Sequence, residues 1–293
     1  MGKATRLKRE SARERIAAQR AAARRAEVRR RAFLIVGSIV VVVAVIGALI
    51  GIKLASGGPP KPQAGSPTGT VLPASVTSKV TGVPASTLNA IGAGSVAQNI
   101  QQSIKPLPGP ALTSGGKPEM LYIGAEYCPY CAAMRWSMAV ALSRFGTLST
   151  PFHGIHSSPS DVYPNTATLT FYKTSYTSKY LTFTPIENEK IDKSPLQPVN
   201  SQQQALWSKY GQNSYPFIDI AGKYSVAVTF NPQVLAGKTW SQIAAAMHDP
   251  SSPIAQAVNG SANYLTAAIC RATSNAPASV CQAPAIIKLQ GHL

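Results

Sequence analysis

Two cysteines, Cys128 and Cys131, enclose a Pro-Tyr dipeptide and form the part of this sequence best suited to chemistry. A Cys-x-x-Cys pair can supply half of a zinc site, form an inert disulfide, or cycle between the dithiol and the disulfide. Which of these uses applies depends on the other ligands in the chain and on the elements that hold the pair.

The other possible ligands in the sequence argue against a zinc site. A zinc site usually takes four ligands, mostly Cys and His, and the other two cysteines, Cys270 and Cys281, lie far along the chain at an unsuitable spacing. His153 and His156 are nearer, but a His-x-x-His pair on a strand and turn is a weak metal signature. We therefore expect no metal and no other cofactor, and we favour redox use.

The elements around the motif support a redox pair. Residues 120–124 (MLYIG) have strand composition, and the run after the motif lacks Gly and Pro until Gly146, which is typical of a helix. A cysteine at the start of a helix is stabilised as a thiolate by free backbone N–H groups and the helix dipole. Cys128 is therefore the expected nucleophile, and Cys131, one turn inside the helix, is the expected resolving cysteine.

The neighbours of the cysteines suit this arrangement. Pro129 fits the first helical turn, where its missing N–H would be unpaired anyway, and Tyr130 is free to tune the leaving thiolate. Two charged residues are also candidates, Glu126 to take a proton from Cys131 and Arg135 to stabilise a thiolate. For both, a solvated or ion-paired surface position is an equally good interpretation.

Pro216 is the second anchor of the predicted site. The run from Tyr215 to Tyr224 (YPFIDIAGKY) places a proline before an apolar strand and a Gly turn after it. It resembles the cis-proline element that thioredoxin folds hold beside their Cys-x-x-Cys loop, where it keeps a backbone edge open for an extended substrate. An ordinary trans bond is the alternative, since only about 5% of X-Pro bonds are cis. We expect a cis bond, with Tyr215 narrowing access to the site.

Cys270 and Cys281 differ from the first pair in spacing and setting. They lie 11 positions apart across a polar loop that contains Pro277. This pattern favours a structural disulfide that staples the last helix to the C-terminal tail in an oxidising compartment. A relay pair that passes electrons to Cys128 is the alternative.

The remaining elements predict an α/β fold around a central sheet. The expected strands are 76–83, 152–156, 168–172, 180–186 and 226–230, and the expected helices are 84–91, 201–210, 240–247 and 262–272. The distance from Cys131 to Pro216 exceeds what a minimal thioredoxin domain requires, so we expect an inserted strand pair within 157–193.

The N-terminal part predicts a membrane anchor. Residues 1–31 carry 12 Lys or Arg and three Glu, and so hold +9 of the formal net charge of +17. The predicted anchor, 32–55, contains an uncharged apolar run of 21 residues, which is about 31 Å of helix and too long for the core of a signal peptide. The positive-inside rule leaves 1–31 in the cytoplasm, with 56–75 as a Gly/Pro/Ser linker and 76–293 as an extracytoplasmic domain.

The net charge does not indicate nucleic-acid binding. More than half of the excess lies in the tail, where no aromatic residue stands among the arginines to stack on bases. An Ala/Arg-rich tail is suited to lie along anionic lipid. The lipid bilayer, and not a nucleic acid, is therefore the expected partner of this segment.

Several segments of the chain are distinctive in composition and order. They are 123–147 (IGAEYCPYCAAMRWSMAVALSRFGT), 166–183 (TATLTFYKTSYTSKYLTF), 215–224 (YPFIDIAGKY) and the late pair Cys270 and Cys281. Together they resemble the domain of unknown function 929 family of membrane-anchored thioredoxin-like proteins, over residues 76–281. The resemblance implies a thioredoxin-like fold and thiol–disulfide chemistry, but no particular substrate. An acidic residue is common in that family where this chain has Met134.

We therefore expect a membrane-anchored, extracytoplasmic thiol:disulfide oxidoreductase that exchanges disulfides with exported cysteine-containing proteins. The oxidase direction is favoured because the predicted membrane helix contains no cysteine to carry cytosolic electrons outward. A membrane redox partner would then recycle the active-site pair. Two alternatives stay open: a non-catalytic thioredoxin-like assembly module with a permanent Cys128–Cys131 bridge, and a dedicated reductase for cytochrome or copper-protein thiols.

Overall fold

The computed structural model describes residues 69–98 and 100–293 of the chain. The predicted basic tail 1–31, the anchor 32–55 and the first part of the linker 56–75 lie outside the described residues. Within the described part, no helix combines the length and the apolar character that a membrane crossing requires.

The described residues form a mixed α/β fold, as the sequence predicts. The strands are β1 (Thr70–Val71), β2 (Ile104–Pro106), β3 (Thr113–Ser114), β4 (Lys117–Ala125), β5 (Gly146–Leu148), β6 (His153–His156), β7 (Ala167–Thr170), β8 (Tyr176–Ser178), β9 (Thr182–Glu189), β10 (Phe217–Ile220) and β11 (Tyr224–Val226). The α-helices are α1 (Ala74–Thr81), α2 (Ala85–Ile91), α3 (Ile100–Ser103), α4 (Pro129–Ser143), α5 (Ser201–Gly211), α6 (Trp240–Ala246), α7 (Pro253–Ala272), α8 (Ala278–Cys281) and α9 (Pro284–Gln290). Two 3-10 helices occupy Gly94–Val96 and Pro232–Leu235.

Strand β4 lies in the middle of the main sheet. It pairs in parallel with β9 and antiparallel with β10. The sheet continues from β10 to β11 and from β11 to β2, all antiparallel, and the short β3 pairs with the start of β4. Two smaller sheets are formed by β1, β6 and β7 and by β5 and β8. The end of β4 therefore delivers the chain to the Cys-x-x-Cys motif from the centre of the sheet.

The two faces of β4 pack against different helices. Leu121 and Ile123 lie in a cluster with Trp207 of α5, whereas Met120 and Tyr122 belong to the larger core that includes α4 and α7. This alternation follows from the period of two in a strand. The last six residues of β4 are all buried, because the sheet is covered on both faces.

Most of the predicted elements are present near their predicted positions. Those that match are the strands predicted at 120–124, 152–156, 168–172 and 180–186 and the helices predicted at 84–91, 201–210 and 240–247. The helix predicted after the Cys-x-x-Cys motif is α4, which ends at Ser143.

Residues 76–83, predicted as a strand, form most of helix α1 instead. Val76 and Val80 are buried, and their spacing of four places both on the helical face that packs into the main core. The β-branched residues of this segment suggested a strand, but packing outweighs their small intrinsic preference.

The inserted strand pair predicted within 157–193 is not present. The segment contains β7, β8 and β9, and each of them pairs with a strand outside it, namely β6, β5 and β4. Strand β9 is part of the main sheet because Phe183 enters the larger core on one face while Ile186 enters the Trp207 cluster on the other.

Two further elements differ from their predicted bounds. The strand predicted at 226–230 is wrong except for Val226, because β11 spans Tyr224–Val226 and ends where Val226 pairs with Ile104 at the start of β2. The helix predicted at 262–272 begins earlier, at Pro253, because a proline is well accommodated in the first helical turn.

Candidate active site

The Cys-x-x-Cys motif begins helix α4. Cys128 is the N-cap residue with extended backbone angles, and Pro129 occupies the first helical position, as expected. The backbone N–H of Cys131 donates a hydrogen bond to Cys128 Sγ at 3.3 Å. The Cys128 sulfur thus takes the place of a capping oxygen at the positive end of the helix.

The environments of the two thiols push their pKa values apart. Hydrogen bonds from the side chain and amide of Cys131, together with the charge of Arg135, lower the pKa of Cys128 against the opposing effect of burial. Burial raises the pKa of Cys131 well above its usual value, and the hydrogen bond to Cys128 raises it further. Cys128 is 5% exposed and Cys131 is fully buried. This asymmetry is what a nucleophile and a resolving cysteine require.

A buried ion pair links the helix that carries the motif to the central sheet. Arg135 donates two hydrogen bonds to Glu187 of β9, from Nε to Oε1 at 2.8 Å and from Nη2 to Oε2 at 2.6 Å. Its Nη2 also donates to the carbonyl oxygen of Ala125 at 2.8 Å. Both side chains of the pair are fully buried. The surface interpretation of Arg135 is therefore wrong, because the guanidinium is enclosed between α4 and the sheet.

The Glu187 carboxylate keeps the buried guanidinium of Arg135 protonated. Burial alone would lower the pKa of Arg135, but the adjacent carboxylate raises it well above its usual value. Glu187 also accepts a hydrogen bond from the backbone N–H of Phe171 at 3.1 Å. Glu187 is not among the site residues expected from the sequence. An acidic residue that directly follows the predicted strand 180–186 was nevertheless a signal for it, because a charge beside a buried strand needs a partner.

Glu126 is also buried, so the surface interpretation is wrong for this residue too. Its Oε1 accepts a hydrogen bond from Thr170 Oγ1 at 2.8 Å. Burial raises the pKa of Glu126 to about 7, against the effect of that hydrogen bond. Within the described residues Glu126 makes no hydrogen bond to either thiol, so its expected role in taking a proton from Cys131 stays a prediction.

Tyrosine side chains surround the entrance to the motif. Tyr127 and Tyr215 pack against the buried cluster of Ala125, Cys128 and Cys131, as does Tyr130. The rings of Tyr127 and Tyr215 meet edge to face with their centroids 6.3 Å apart. Little of Cys128 is exposed behind this aromatic rim, while the narrowing of substrate access by Tyr215 stays a prediction.

Pro216 lies at the start of β10, beside the end of β4. The Tyr215–Pro216 bond is cis, and the next residue, Phe217, pairs with Ile123 of β4. Tyr215 stacks on Trp207 with ring centroids 4.9 Å apart. The structure therefore brings Pro216 to the same edge of the molecule as the Cys-x-x-Cys motif, while its role in substrate binding stays a prediction.

The late cysteines are joined to each other. Cys270, in the last turn of α7, forms a disulfide with Cys281 of α8. Both are buried in the main core, which favours the structural role over the relay. Among the described residues no three His, Cys, Asp or Glu side chains are grouped to hold a metal ion, and His156 lies against the ring of Trp240 instead.

A family model described as "Domain of unknown function (DUF929)" matches residues 107–271, which include Cys128, Cys131, Glu187 and Pro216. A search of curated proteins and a search of solved structures each found no match. Since the family model covers more than half of the sequence, the chain belongs to the DUF929 family.

Proposed function

We propose that this chain is a thiol:disulfide oxidoreductase that acts outside the cytoplasm as an oxidase of exported cysteine-containing proteins. The observation that carries the proposal is the pair of unequal thiols at the start of α4. Cys128 has a lowered pKa and caps the helix, whereas Cys131 is buried with a raised pKa. A low thiol pKa stabilises the reduced form of the pair, so that its disulfide is oxidising, and it makes Cys128 a good leaving group.

The reaction follows from these two environments. A substrate thiolate attacks Cys128 Sγ of the oxidised pair, and the Cys128–Cys131 bond breaks with its electrons passing to Cys131. The second substrate thiolate then attacks the mixed disulfide, releasing Cys128 as a thiolate and the substrate as a disulfide. The pair has gained two electrons, which a membrane redox partner must accept before the next turnover. Of the two protons that the substrate thiols lost, Cys131 takes up one and the other stays in solvent while Cys128 is a thiolate.

The strand arrangement supports a thioredoxin-like fold for this domain. The chain runs from β4 through α4 to the parallel strand β9, and then through α5 to the antiparallel hairpin of β10 and β11. The resulting order β11–β10–β4–β9 is the one that we expect of a thioredoxin-like sheet. Its Cys-x-x-Cys motif follows the central strand, and Pro216 precedes the neighbouring one.

The oxidase direction and the location rest on the sequence. The predicted anchor 32–55 lacks cysteine and so offers no path for cytosolic electrons. A disulfide between Cys270 and Cys281 also suits an oxidising compartment. The anchor would hold the domain at the cell membrane, near both the exported substrates and the membrane redox partner.

One observation favours a second function, a non-catalytic assembly module of the cell envelope. Only 5% of Cys128 is exposed, and the tyrosine rim limits the approach of a polypeptide. In such a module the two cysteines would be permanently bridged, and the tyrosines would form the binding surface. A dedicated reductase of cytochrome or copper-protein thiols would share the site but run in the opposite direction.

A trapping experiment tests the proposed function. The full chain with Cys131→Ala, expressed in cells that naturally make the protein, should accumulate mixed disulfides between Cys128 and exported proteins, because the resolving thiol is missing. The double variant Cys128→Ala/Cys131→Ala is the matched control and should form none. An absence of reductant-sensitive adducts with Cys131→Ala would support the assembly module instead.

A further inference from the structure

The β6–β7 loop, residues 157–166, reaches from the small sheet to the entrance of the redox site. The backbone N–H of Ser158 donates a hydrogen bond to the carbonyl oxygen of Tyr127 at 2.8 Å. The ring of Tyr163 meets the ring of Tyr130 edge to face, with the centroids 5.7 Å apart. The loop therefore contacts the chain both just before the Cys-x-x-Cys motif and inside it.

Hydrogen bonds within the β6–β7 loop fix its base. Ser157 Oγ donates to the carbonyl oxygen of Tyr163 at 3.1 Å and accepts from the backbone N–H of Thr166 at 2.9 Å. Thr166 Oγ1 donates to the same carbonyl oxygen at 3.0 Å. Both Ser157 and Thr166 are buried. Because the loop is already held by these bonds, it loses little conformational freedom when a partner binds to it.

The tip of the β6–β7 loop presents an apolar side chain to solvent. Val162 is 70% exposed, more than any other large apolar side chain among the described residues. A single exposed apolar residue is common on protein surfaces. Val162, however, adjoins Tyr163, whose half-buried ring packs against Tyr130 of the motif. These three residues, which we call the apolar lip, extend from the loop tip to the motif.

The tyrosines outside the apolar lip have charged neighbours. The Nζ of Lys193 lies 5.1 Å from the centre of the Tyr127 ring. Tyr215 packs edge to face against Tyr127, and its hydroxyl donates to Glu189 Oε1 at 3.4 Å. Asp161 is the charged residue next to the lip, where its Oδ1 accepts from the backbone N–H of the following residue at 2.7 Å. The lip is therefore the most apolar part of the entrance.

The position of Cys128 determines what must lie on the lip. Cys128 is 5% exposed, so a cysteine fixed on the surface of a folded protein cannot approach its sulfur, whereas one in an extended segment can. Tyr130 packs against the buried cluster that contains Cys128. An extended chain advances about 3.3–3.6 Å per residue. The residues one or two positions from the reacting cysteine of a substrate therefore pass over the tyrosine rim.

We propose that the apolar lip binds a hydrophobic side chain beside the reacting cysteine of an unfolded polypeptide substrate. This inference rests on the proposed function and narrows its substrate class. Contact with the lip covers Val162 and the faces of two tyrosine rings without removing a charged group of the lip from water. Rigid aromatic side chains of this kind contribute strongly to binding where they are covered.

Oxidation of two matched peptides by the full chain tests the proposal. Both are unstructured and carry two cysteines at the same spacing, with leucine on both sides of each cysteine in one peptide and serine in the other. Each peptide dithiol passes two electrons to the Cys128–Cys131 disulfide and becomes a disulfide itself. The leucine peptide should react about tenfold faster, because part of a leucine side chain is covered. Each rate is divided by that of the same peptide with 2-hydroxyethyl disulfide, which corrects for thiol reactivity.

Val162→Ser assigns the preference to the lip. It should lower the preference for the leucine peptide to about threefold or less, because the isopropyl contact is lost. Reduction of the same disulfide by dithiothreitol should not change, since dithiothreitol has no side chain to place on the lip. Ile287→Ser is the matched control, because Ile287 is 57% exposed on α9, a helix that packs on α7 and α2. It should keep the wild-type preference.

Three results would overturn the apolar lip. They are a wild-type preference for the leucine peptide below about twofold, a preference that Val162→Ser leaves unchanged, and a preference that Ile287→Ser lowers as much as Val162→Ser does. A wild-type disulfide that neither dithiothreitol nor either peptide reduces would instead overturn the proposed function.

Discussion

The buried ion pair between Arg135 and Glu187 makes a strong prediction about stability. Replacing Glu187 with Gln removes the negative charge but keeps the size of the side chain. Arg135 then remains fully buried and charged, with neutral partners in place of a carboxylate that accepts bonds of 2.8 and 2.6 Å. Removal of one partner from such a pair costs about 3–5 kcal/mol. We expect a loss of this size in the free energy of unfolding.

The measurement is urea unfolding of the full chain, followed by tryptophan fluorescence, to which the buried Trp136 and Trp207 contribute. A loss of this size is about a third of a typical domain stability and should lower Tm in a thermal melt by roughly 6–20 °C. Glu189→Gln, two positions further along β9 and only half-buried, is the matched control and should change stability by less than about 0.5 kcal/mol. A loss below about 1 kcal/mol in the free energy of unfolding of Glu187→Gln would contradict a fully buried, charged pair of Arg135 and Glu187.

Three further predictions concern other buried groups. The pKa of Glu126 is raised to about 7 in the folded chain, so the folded state binds this proton more tightly than the unfolded chain does. The free energy of unfolding should therefore fall by up to about 3 kcal/mol as the pH rises from about 4.5 to 7. Glu126→Gln should remove this decline in a pH series of urea unfolding curves. Gly124→Ala should lower the free energy of unfolding by about 1–3 kcal/mol, because the added methyl group collides with the Tyr122 hydroxyl. Adding Tyr122→Phe should recover part of that loss in the same unfolding assay. Strictly additive effects of the two substitutions would contradict the contact. Removing both Cys270 and Cys281 should cost about 2–4 kcal/mol and leave the exchange rate of the active-site pair unchanged; a slower exchange would instead favour the relay.

Local signals made the motif and its flanking elements predictable. Cys128 as the N-cap and Pro129 in the first helical turn are recognisable signals of a helix start. The apolar run before them has the composition of a strand. The same reasoning failed for Val76 and Val80, because β-branched residues occur in either element and only their burial on one face reveals the helix. Element type is therefore predictable where caps and turns mark it, and less so where packing decides.

Long-range partners were beyond reach for a different reason. Arg135 and Glu187 are 52 positions apart, and their pairing depends on β9 lying parallel to β4, a register that the sequence does not mark. The prediction of an inserted strand pair failed for the same reason. It paired the strands within 157–193 with each other, whereas they pair with strands elsewhere in the chain. The close contact between the Tyr122 hydroxyl and Gly124 could not be predicted either, because it depends on how the tyrosine ring packs over a residue without a side chain.

The reduction potential of the Cys128–Cys131 pair decides whether these two cysteines are redox-active. The potential can be measured on the full chain by equilibration in glutathione buffers, with the fraction of oxidised protein read by mass spectrometry after thiol alkylation. The lowered pKa of Cys128 predicts an oxidising pair, with a potential more positive than about −230 mV. A potential below about −300 mV, as in structural disulfides, would contradict the oxidoreductase and favour a permanently bridged module.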